Sequence, residues 1–413
     1  MKKMKLTKPE RNWVLYDVGN SAFTLLITTI MPIYFNYLAK NAGLSDVHYL
    51  AYWGYAASIT TLIVALIGPI AGTLADTKSF KKPIFTISLA VGAIGCVTLG
   101  LARQWLVFLV IFVIAKVGYS SSLVFYDSML PDVTTDEHSD YVSSLGYAWG
   151  YIGSCVPFIL SLILVLKADS FGLSMSAAMM CSFIITAVWW VGMTVPLLKT
   201  YQQKHYVENK KHAFRESFVR LGRTFSNIRK EKKVFLFLLA FFFYIDGVYT
   251  IIDMATAFGS ALGLDQTGLL LALLLTQFVA FPFAILFGRL AAKYNTRTLI
   301  SICITAYTCI ACFAIFLKYQ WQFWLLAVLV GMFQGGVQAL SRSYYAKIIP
   351  SEQSGEYFGL LDICGKGASF VGTMLVSLVS QLTGSVNLGV GTIAVLFLAG
   401  IVLFRIASRP ENT

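Results

Sequence analysis

Charged residues are scarce in this sequence: they make up 13% of its 413 residues, whereas a soluble domain has about 25%. Histidine occurs four times, always in a predicted loop, and neither an HExxH nor a GxSxG motif is present. No GxxxxGK[ST] stretch occurs, so a P-loop for ATP is absent. These absences exclude an ordinary soluble protein, argue against an enzyme, and supply no catalytic residue, metal site or cofactor site.

The cysteines form no disulfide framework. All seven fall in apolar runs, where cysteine behaves as a small packing residue. Cys309 and Cys312 make a CxxC, but no second pair accompanies them, so we expect neither a metal nor a redox role.

Apolar residues dominate instead, at 57% of the chain with a mean hydropathy of +0.71. Runs long enough to cross a bilayer of membrane lipids lie at 12–38, 50–76, 83–101, 104–129, 142–166, 173–198, 234–260, 266–292, 298–317, 321–347, 355–382 and 387–407. This pattern predicts an all-α membrane protein with twelve transmembrane helices.

A basic stretch at 199–233 divides the chain. It holds 11 Lys/Arg and three acidic residues, and hydrocarbon would not accept so many charges. We therefore predict an N-terminal six-helix bundle at 1–198, a cytoplasmic linker at 199–233 and a C-terminal six-helix bundle at 234–413. Helical spacing of Phe214, Phe218, Leu221, Phe225 and Ile228 predicts an amphipathic surface helix in the linker; the alternative is a solvated connector.

The basic residues of the loops and termini, with those of the linker included, set the orientation. If both termini are cytoplasmic, the inside segments carry 26 Lys/Arg and the outside segments carry 4. This bias predicts a multi-pass protein of the cell membrane with both termini in the cytoplasm. The net charge of +12 therefore reflects membrane topology, and we expect no nucleic-acid partner.

The two halves repeat each other. Gly72 and Asp76 after helix 2 correspond to Gly288 and Ala292 after helix 8, at an offset of 216 residues. Tyr141 and Tyr357 share that offset, and the clusters at 16–19 and 244–247 both contain Tyr, Asp and Gly. Such repetition predicts two pseudo-symmetric six-helix bundles related by an axis along the membrane normal.

The string from Gly72 through Asp76 to Lys81 resembles the loop signature of the major facilitator superfamily. The resemblance covers the whole chain. It implies that the acidic residue caps a neighbouring helix and latches the two halves together, which gives Gly72, Asp76 and Lys81 gating or structural roles. Ala292 replaces the acid in the second copy, so the latch role is not expected there.

Longer strings narrow the resemblance: DVGNSAF at 17–23, SSLGYAWGYIG at 143–153 and QALSRS at 338–343, with Phe358-Gly359 and Gly365-Lys366. They look like the "unknown major facilitator" family, which is similar to the yeast autophagy-related vacuolar amino-acid exporter. The resemblance implies that helices 1, 4, 7 and 10 line a central cavity and that the substrate is an amino acid or a similar small metabolite.

Helix 1 carries a polar stripe of Asp17, Asn20, Ser21 and Thr24, all on one face. This stripe is a candidate for the cavity wall. The alternative is that Asp17 faces cytoplasmic water and caps the helix start.

Helix 7 places Asp246, Tyr249, Thr250 and Asp253 on one face. Two carboxylates in a low-dielectric setting suit a proton-binding site. The alternative is an ion pair with a basic residue from another helix.

Helix 4 carries Lys116 near its middle. An intramembrane lysine needs a partner or an aqueous cavity, and Asp17, Asp246 and Asp253 are all candidate partners. Asp127, close to Pro131, is interpreted as an interfacial residue.

Helix 10 carries Gln334, Gln338 and Arg342 on one face. Arg342 is a candidate bidentate clamp for a substrate carboxylate. The alternative is a gate or structural pair at the cytoplasmic end, with Asp362 or Glu356.

Helix 11 has Asp362 and Lys366 at an i, i+4 spacing that allows mutual neutralisation, so both are assigned structural roles. Trp149 and Tyr151 are candidates for the cavity, although aromatic residues also anchor membrane interfaces.

These patterns favour a monomeric secondary active transporter that moves a small-molecule substrate by alternating access. The buried carboxylates favour coupling to protons, as symport or antiport, and the resemblance favours efflux. The alternatives are a transporter or flippase of a lipid or other amphiphile, and a non-transporting receptor on the same fold.

Overall fold

The computed structural model describes residues 5–44, 46–208, 219, 222, 224, 228 and 230–408. Its long helices are α1 (Lys8–Asn41), α2 (Asp46–Ala75), α3 (Lys81–Leu99), α4 (Trp105–Ser128), α5 (Asp136–Leu166), α6 (Met175–Thr200), α7 (Lys232–Ala261), α8 (Gln266–Ala291), α9 (Thr296–Ala314), α10 (Gln320–Ile348), α11 (Ser354–Thr383) and α12 (Val386–Ala407). Eleven of these helices, within the described residues, are long and apolar enough to cross a membrane, and Val371–Thr383 supplies the apolar part of α11. The predicted all-helical membrane fold is confirmed.

Helix ends follow local sequence signals. Thr7 and Glu10 form a capping box at the start of α1, and Asp265 accepts a hydrogen bond from the Gly268 amide at 2.6 Å to begin α8. Such caps satisfy amides that have no partner within the helix. Because the first turns are polar, α5 begins at Asp136 and not at the predicted residue 142, where the apolar run starts.

α1 contains one irregular turn, a π-helical segment at Leu26–Ile30. The hydroxyl groups of Thr28 and Thr29 bond back to backbone carbonyls of the preceding turn. Segments of this kind are common where a helix is adapted for function, and this one lies in the half of α1 away from the N-terminus.

The two bundles share an internal contact. In the first, the hydroxyl groups of Tyr16 (α1) and Ser122 (α4) are 2.6 Å apart. In the second, those of Tyr244 (α7) and Ser341 (α10) are 2.7 Å apart. Equivalent helices are thus joined by the same Tyr–Ser pair, which confirms the predicted pseudo-symmetry.

The bundles meet at one end, where the N-terminus and residues 201–208 lie; we call it the basic end. Here α2 packs on α11, and α5 packs on α8. A Cβ atom on Gly72 would lie 2.2 Å from the carbonyl oxygen of Gly355, and one on Gly288 would lie 2.6 Å from the Ser144 Cβ. Among the described residues, the hydrogen bonds that join the two bundles come from residues near the basic end or near the middle of their helices. The bundles therefore close against each other at the basic end.

The predicted linker helix cannot be compared with the structure. Phe214, Phe218, Leu221 and Phe225 lie outside the described residues, and Ile228 is described alone. The proposed boundaries at 198/199 and 233/234 stay predictions.

The glycine contact between α2 and α11 can be tested with Gly355→Ala. The added methyl group would lie 2.5 Å from the Gly72 carbonyl oxygen and 2.7 Å from Asp76 Oδ1. Overpacking of this kind costs about 1–3 kcal/mol, so we expect a lower melting temperature for the purified protein.

The matched control is Gly54→Ala on α2, where a Cβ atom would meet no heavy atom within 4 Å. Helical alanine is favoured over glycine by roughly 0.5–1 kcal/mol, so this variant should melt at or above the wild-type temperature. Equal melting of both variants would show that close packing at Gly355 does not stabilise the basic end.

Candidate functional site

Arg342 of α10 crosses from the C-terminal bundle into the N-terminal bundle. Its Nη2 lies 3.1 Å from Asp17 Oδ2 and its Nη1 lies 3.0 Å from Asp127 Oδ1. Nε donates to Ser143 Oγ at 2.9 Å, and Nη2 also donates to the Ser143 carbonyl at 3.0 Å. The guanidinium thus binds α1, α4 and α5 at once, although its side chain is only 5% exposed.

Aromatic rings enclose this charge. The guanidinium carbon lies 4.4 Å from the Tyr147 ring centroid, 4.6 Å from that of Trp13 and 5.5 Å from that of Tyr126. Trp13 is itself fixed, since its indole donates to the Tyr126 carbonyl at 3.0 Å. Cation–π attraction strengthens when water is excluded, and the carboxylates offset the cost of burying the charge.

Asp17 is held in place by its neighbours. Asn20 Nδ2 donates to Asp17 Oδ1 at 3.2 Å, which leaves Oδ2 for Arg342. Gly146 permits this approach, because a Cβ atom there would lie 2.3 Å from Asp17 Oδ2. Ser21 packs over Gly150 in the same way. The predicted polar stripe of α1 therefore faces α5.

These contacts show what Arg342 binds in the conformation described. Its donors are directed at protein acceptors, so in this conformation it ties the bundles together. Its salt bridges join it to Asp17 and Asp127, whereas the sequence suggested Asp362 or Glu356; the membrane-interface position of Asp127 stays a prediction. A substrate carboxylate would have to displace one of them to bind Arg342.

A second tie lies between α2 and α11. Asp76 accepts hydrogen bonds from the amides of Gly355 (2.7 Å) and Glu356 (2.9 Å) at the start of α11. Lys81 Nζ lies 3.5 Å from Asp76 Oδ1 and donates to Ser354 Oγ at 2.8 Å. Asp76 therefore caps a helix of the opposite bundle, as the resemblance implied.

The equivalent junction, where α5 meets the start of α9 and the end of α10, uses a different acid. Asp140 of α5 accepts hydrogen bonds of 2.6 Å from each of Thr296, Ser343 and Lys347. The second loop has Ala292 in place of an acid, and Asp140 supplies the carboxylate from the opposite side of the interface.

The start of the linker lies across the same end. Asp132, in the one-turn helix Leu130–Val133, accepts hydrogen bonds from the amides of Lys204 and His205 and from the Tyr201 hydroxyl. The His205 ring nitrogen lies 3.2 Å from Asp132 Oδ1. The Val207 amide bonds to the Asp76 carbonyl at 2.8 Å. We call residues 201–208 the strap.

Charge and hydrogen bonding shift the pKa values of the strap. Burial opposes ionisation of Asp132, but the hydrogen bond with His205, the charge of Lys81 and the hydrogen bond with Tyr201 together hold its pKa below the ordinary value. The hydrogen bond with Asp132 in turn raises the pKa of His205.

Beyond Arg342 lies the space between the bundles. Lys116 (α4) packs with its ammonium 5.6 Å from the Phe112 ring centroid. Asp253 of α7 is exposed. Which of its three candidate partners Lys116 pairs with stays a prediction.

Other predicted residues occupy distinct positions around this space. Tyr249 is partly buried. The Tyr151 hydroxyl donates to Gln338 Oε1 at 3.3 Å across the bundles.

Two predicted residues lie further from Arg342. Gln334 borders an apolar cavity of about 90 Å³ inside the C-terminal bundle. Asp246 is fully buried between α7 and α11, where the Gly372 amide donates to it.

Two predicted residues are not placed in the cluster. Trp149 is two residues from both Tyr147 and Tyr151, hence on the opposite face of α5, is 47% exposed and packs edge-on against Phe281. The side chain of Lys366 lies outside the described part of α11, so its pairing with Asp362 stays a prediction.

Sequence reasoning missed several residues of the site, namely Trp13, Asp140, Ser143, Tyr147 and Lys347, and it did not assign Asp127 to the site. A signal was present for some of them. Trp13 lies four residues before Asp17, and Tyr147 lies four residues before Tyr151, so each shares a helix face with a residue that was predicted. Asp140 and Lys347 gave no such signal, because both lie where helices leave the apolar runs.

Comparisons with known proteins agree with this architecture. The family described as "Vacuole effluxer Atg22 like" matches residues 7–411. The chain is 42% identical to the Uncharacterized MFS-type transporter YxiO of Bacillus subtilis, over 99% of this chain and 96% of that protein. It is 27% identical to Autophagy-related protein 22 of Saccharomyces cerevisiae (strain S288c), over 61% of this chain and 54% of that protein.

Solved structures share the fold. The major facilitator superfamily transporter FucP in the outward conformation superposes with a TM-score of 0.71 at 15% identity, covering 97% of this chain and 98% of that chain. A bacterial homologue of the iron transporter ferroportin in the outward-facing state gives a TM-score of 0.71 at 14% identity, with the same coverage. These are transporters and not enzymes, as expected here.

The Arg342 tie can be tested with Arg342→Lys. A single ammonium cannot reproduce the planar fork that binds Asp17, Asp127 and Ser143 while stacking between rings. Loss of one charged hydrogen bond costs roughly 1.5–3 kcal/mol, so the purified variant should melt at a clearly lower temperature. Arg289→Lys, at an exposed position of α8, is the control and should melt like wild type. Wild-type melting of Arg342→Lys would contradict a stabilising tie.

The strap predicts a pH dependence. Because the pKa of His205 is raised, its contribution is complete below its ordinary pKa of about 6.5 and is lost as pH rises through the folded-state value. The melting difference between wild type and His205→Gln should therefore be largest near pH 6, about half a unit below that ordinary value, and disappear at alkaline pH.

The Asp132 contribution has the opposite sign. It is complete above the ordinary pKa of about 3.9 and is lost only as pH falls through the lowered folded-state value, so it stays constant over this range. His48→Gln, at the other end of α2, serves as control and should follow wild type throughout. A difference that grows with pH would show that His205 does not bind Asp132 in its charged form.

Proposed function

Because the chain belongs to the Atg22-like effluxer family of the major facilitator superfamily, we propose that it is a secondary active transporter of a small zwitterionic metabolite. An amino acid is the simplest such substrate. The transporter works by alternating access, coupled to protons, in the direction of efflux. The pathway lies between the two bundles of one chain, so a monomer is sufficient.

The proposal rests on two charged side chains of the long helices, Lys116 of α4 and Asp253 of α7. They belong to different bundles and have opposite charges, and we place both on the central space. An amino acid presents a carboxylate and an ammonium group to such a pair, and charge-assisted hydrogen bonds would fix both. A substrate held by both bundles also draws them together, as occlusion during alternating access requires.

Orientation completes the proposal. The excess of basic residues on one side places the basic end in the cytoplasm of a cell membrane. Since the bundles close at that end, the conformation described corresponds to an outward-facing state. Opening towards the cytoplasm then requires the Arg342, Asp76 and Asp140 ties to break together.

One observation favours the alternative substrate, a lipid or other amphiphile. The cavity in the C-terminal bundle is apolar, with Phe258, Phe323 and Val330 in its wall, and Thr250 and Gln334 among its few polar groups. The apolar chain of an amphiphile would fit such a cavity better than the second charged group of an amino acid.

Transport can be measured by counterflow of a labelled amino-acid pool in proteoliposomes. Lys116→Gln and Asp253→Asn should each reduce exchange by at least about tenfold, since a charged hydrogen bond is worth roughly 1.5–3 kcal/mol. Lys167→Gln and Asp169→Asn, exposed at the other end of the molecule, are the matched controls and should exchange like wild type.

Two results would contradict the proposal. If all variants exchanged equally, Lys116 and Asp253 would not belong to the binding site. No exchange of any pool member by folded wild-type protein would exclude amino acids. The same vesicles with a fluorescent phospholipid would then test the amphiphile alternative.

A further inference from the structure

One carboxyl group inside the C-terminal bundle lacks the partners that the other intramembrane acids have. Asp246 of α7 is 0% exposed. Its Oδ1 accepts hydrogen bonds from the Gly372 amide of α11 at 2.9 Å and from Thr250 Oγ1 at 3.2 Å. Its Oδ2 is buried and has no hydrogen-bond partner.

Neighbouring acids are neutralised by cations. Asp17 and Asp127 share Arg342, and Asp140 binds Lys347. Asp246 differs, because it makes no salt bridge with a basic side chain in the described part of the chain.

The helices packed against α7 carry ionisable side chains of their own. Besides Lys232, Lys233, Tyr244, Tyr249 and Asp253 on α7 itself, the ionisable side chains of α8, α10, α11 and α12 are Arg289, Arg342, Tyr344, Tyr345, Lys347, Glu356, Tyr357, Asp362, Cys364, Lys366 and Arg405. On α11, Lys366 and Asp362 precede Gly372 by six and ten residues, which is roughly 9 and 15 Å along a helix.

Asp246 lies very close to the backbone of α11, because residue 372 of α11 is glycine. A Cβ atom on Gly372 would lie 2.4 Å from Asp246 Oδ1 and 2.2 Å from Thr250 Oγ1. Only glycine brings the backbone amide of α11 to this carboxyl. An ionised carboxylate in this setting would leave one charged oxygen without a donor, which is very costly away from water, whereas a neutral carboxylic acid avoids most of that cost.

We propose that Asp246 is a proton-binding site, occupied in the conformation described, and that its occupancy is coupled to the contact between α7 and α11. Oδ2 holds the proton, and Oδ1 is the carbonyl oxygen that accepts from Gly372 and Thr250. Loss of the proton to water requires α7 and α11 to separate. α11 begins at the Asp76 tie, so a movement of α11 also changes the contacts at the basic end. The coupling of this site to transport rests on the proposed function. The presence of a proton on Asp246 does not.

Infrared difference spectroscopy of the purified protein, titrated with pH, tests the proton site without any substrate. Wild type should show a carboxylic-acid band from a buried group that disappears at high pH. Asp246→Asn should lack this band, whereas Asp169→Asn, an exposed acid at the other end of the molecule, should keep it. A band unchanged in Asp246→Asn would overturn the proposal.

Thr250→Val covers the case in which Asp246→Asn does not fold. It keeps the carboxyl group but removes one donor to Oδ1, so the band should persist and titrate at a different pH. An identical titration in Thr250→Val would contradict the assignment.

Coupling is read from the labelled amino-acid pool in proteoliposomes. The ratio of accumulation with a pH gradient to accumulation without one should fall to about one in Asp246→Asn, as in a passive exchanger. A ratio that stays at the wild-type value would overturn the coupling. Absence of wild-type counterflow would exclude amino acids as substrates while leaving the infrared result to decide the proton site.

Discussion

Arg342 carries a full positive charge into a place that water scarcely reaches, and this burial constrains the closed end of the molecule. A guanidinium without anionic partners would be strongly unfavourable there. Asp17 and Asp127 are both on the opposite bundle, so the charge is balanced only while the bundles are together. Trp13 and Tyr147 complete the enclosure and exclude water from the pair. The charge of Arg342 is therefore neutralised only in the conformation in which the two bundles are closed.

The other two ties also balance a buried charge with groups of the opposite bundle, but they use different groups. Asp76 binds helix amides, which carry partial positive charge at the start of α11, and Asp140 binds two hydroxyl groups and an ammonium. Glycines let the crossing helices approach closely enough for these short bonds. The order of the helices is thus repeated but the ties are not, since the acid moves from the loop after helix 2 to the start of α5.

Polar ties of this kind suit a contact that must open. An apolar interface in a membrane gains little from closing, since lipid tails are as apolar as the side chains themselves. Hydrogen bonds and ion pairs give a defined closed geometry, and water entering an opened pathway can replace them. Asp246 stands apart from this set, because its contact with α11 lies inside one bundle and depends on whether the carboxyl carries a charge.

The sequence by itself determined the twelve helices, the repeat and the charge asymmetry, because each depends on local composition and on spacing along one helix. It also marked Asp17, Asp76 and Arg342 as residues that need an explanation, since charge is costly in hydrocarbon. Only the tertiary structure decided which charges meet. Arg342 and Asp17 are 325 residues apart, and Asp140 meets Lys347 across 207 residues. Pairing across an interface depends on helix rotation and crossing, which are set by packing between bundles and leave no periodic signal within either helix.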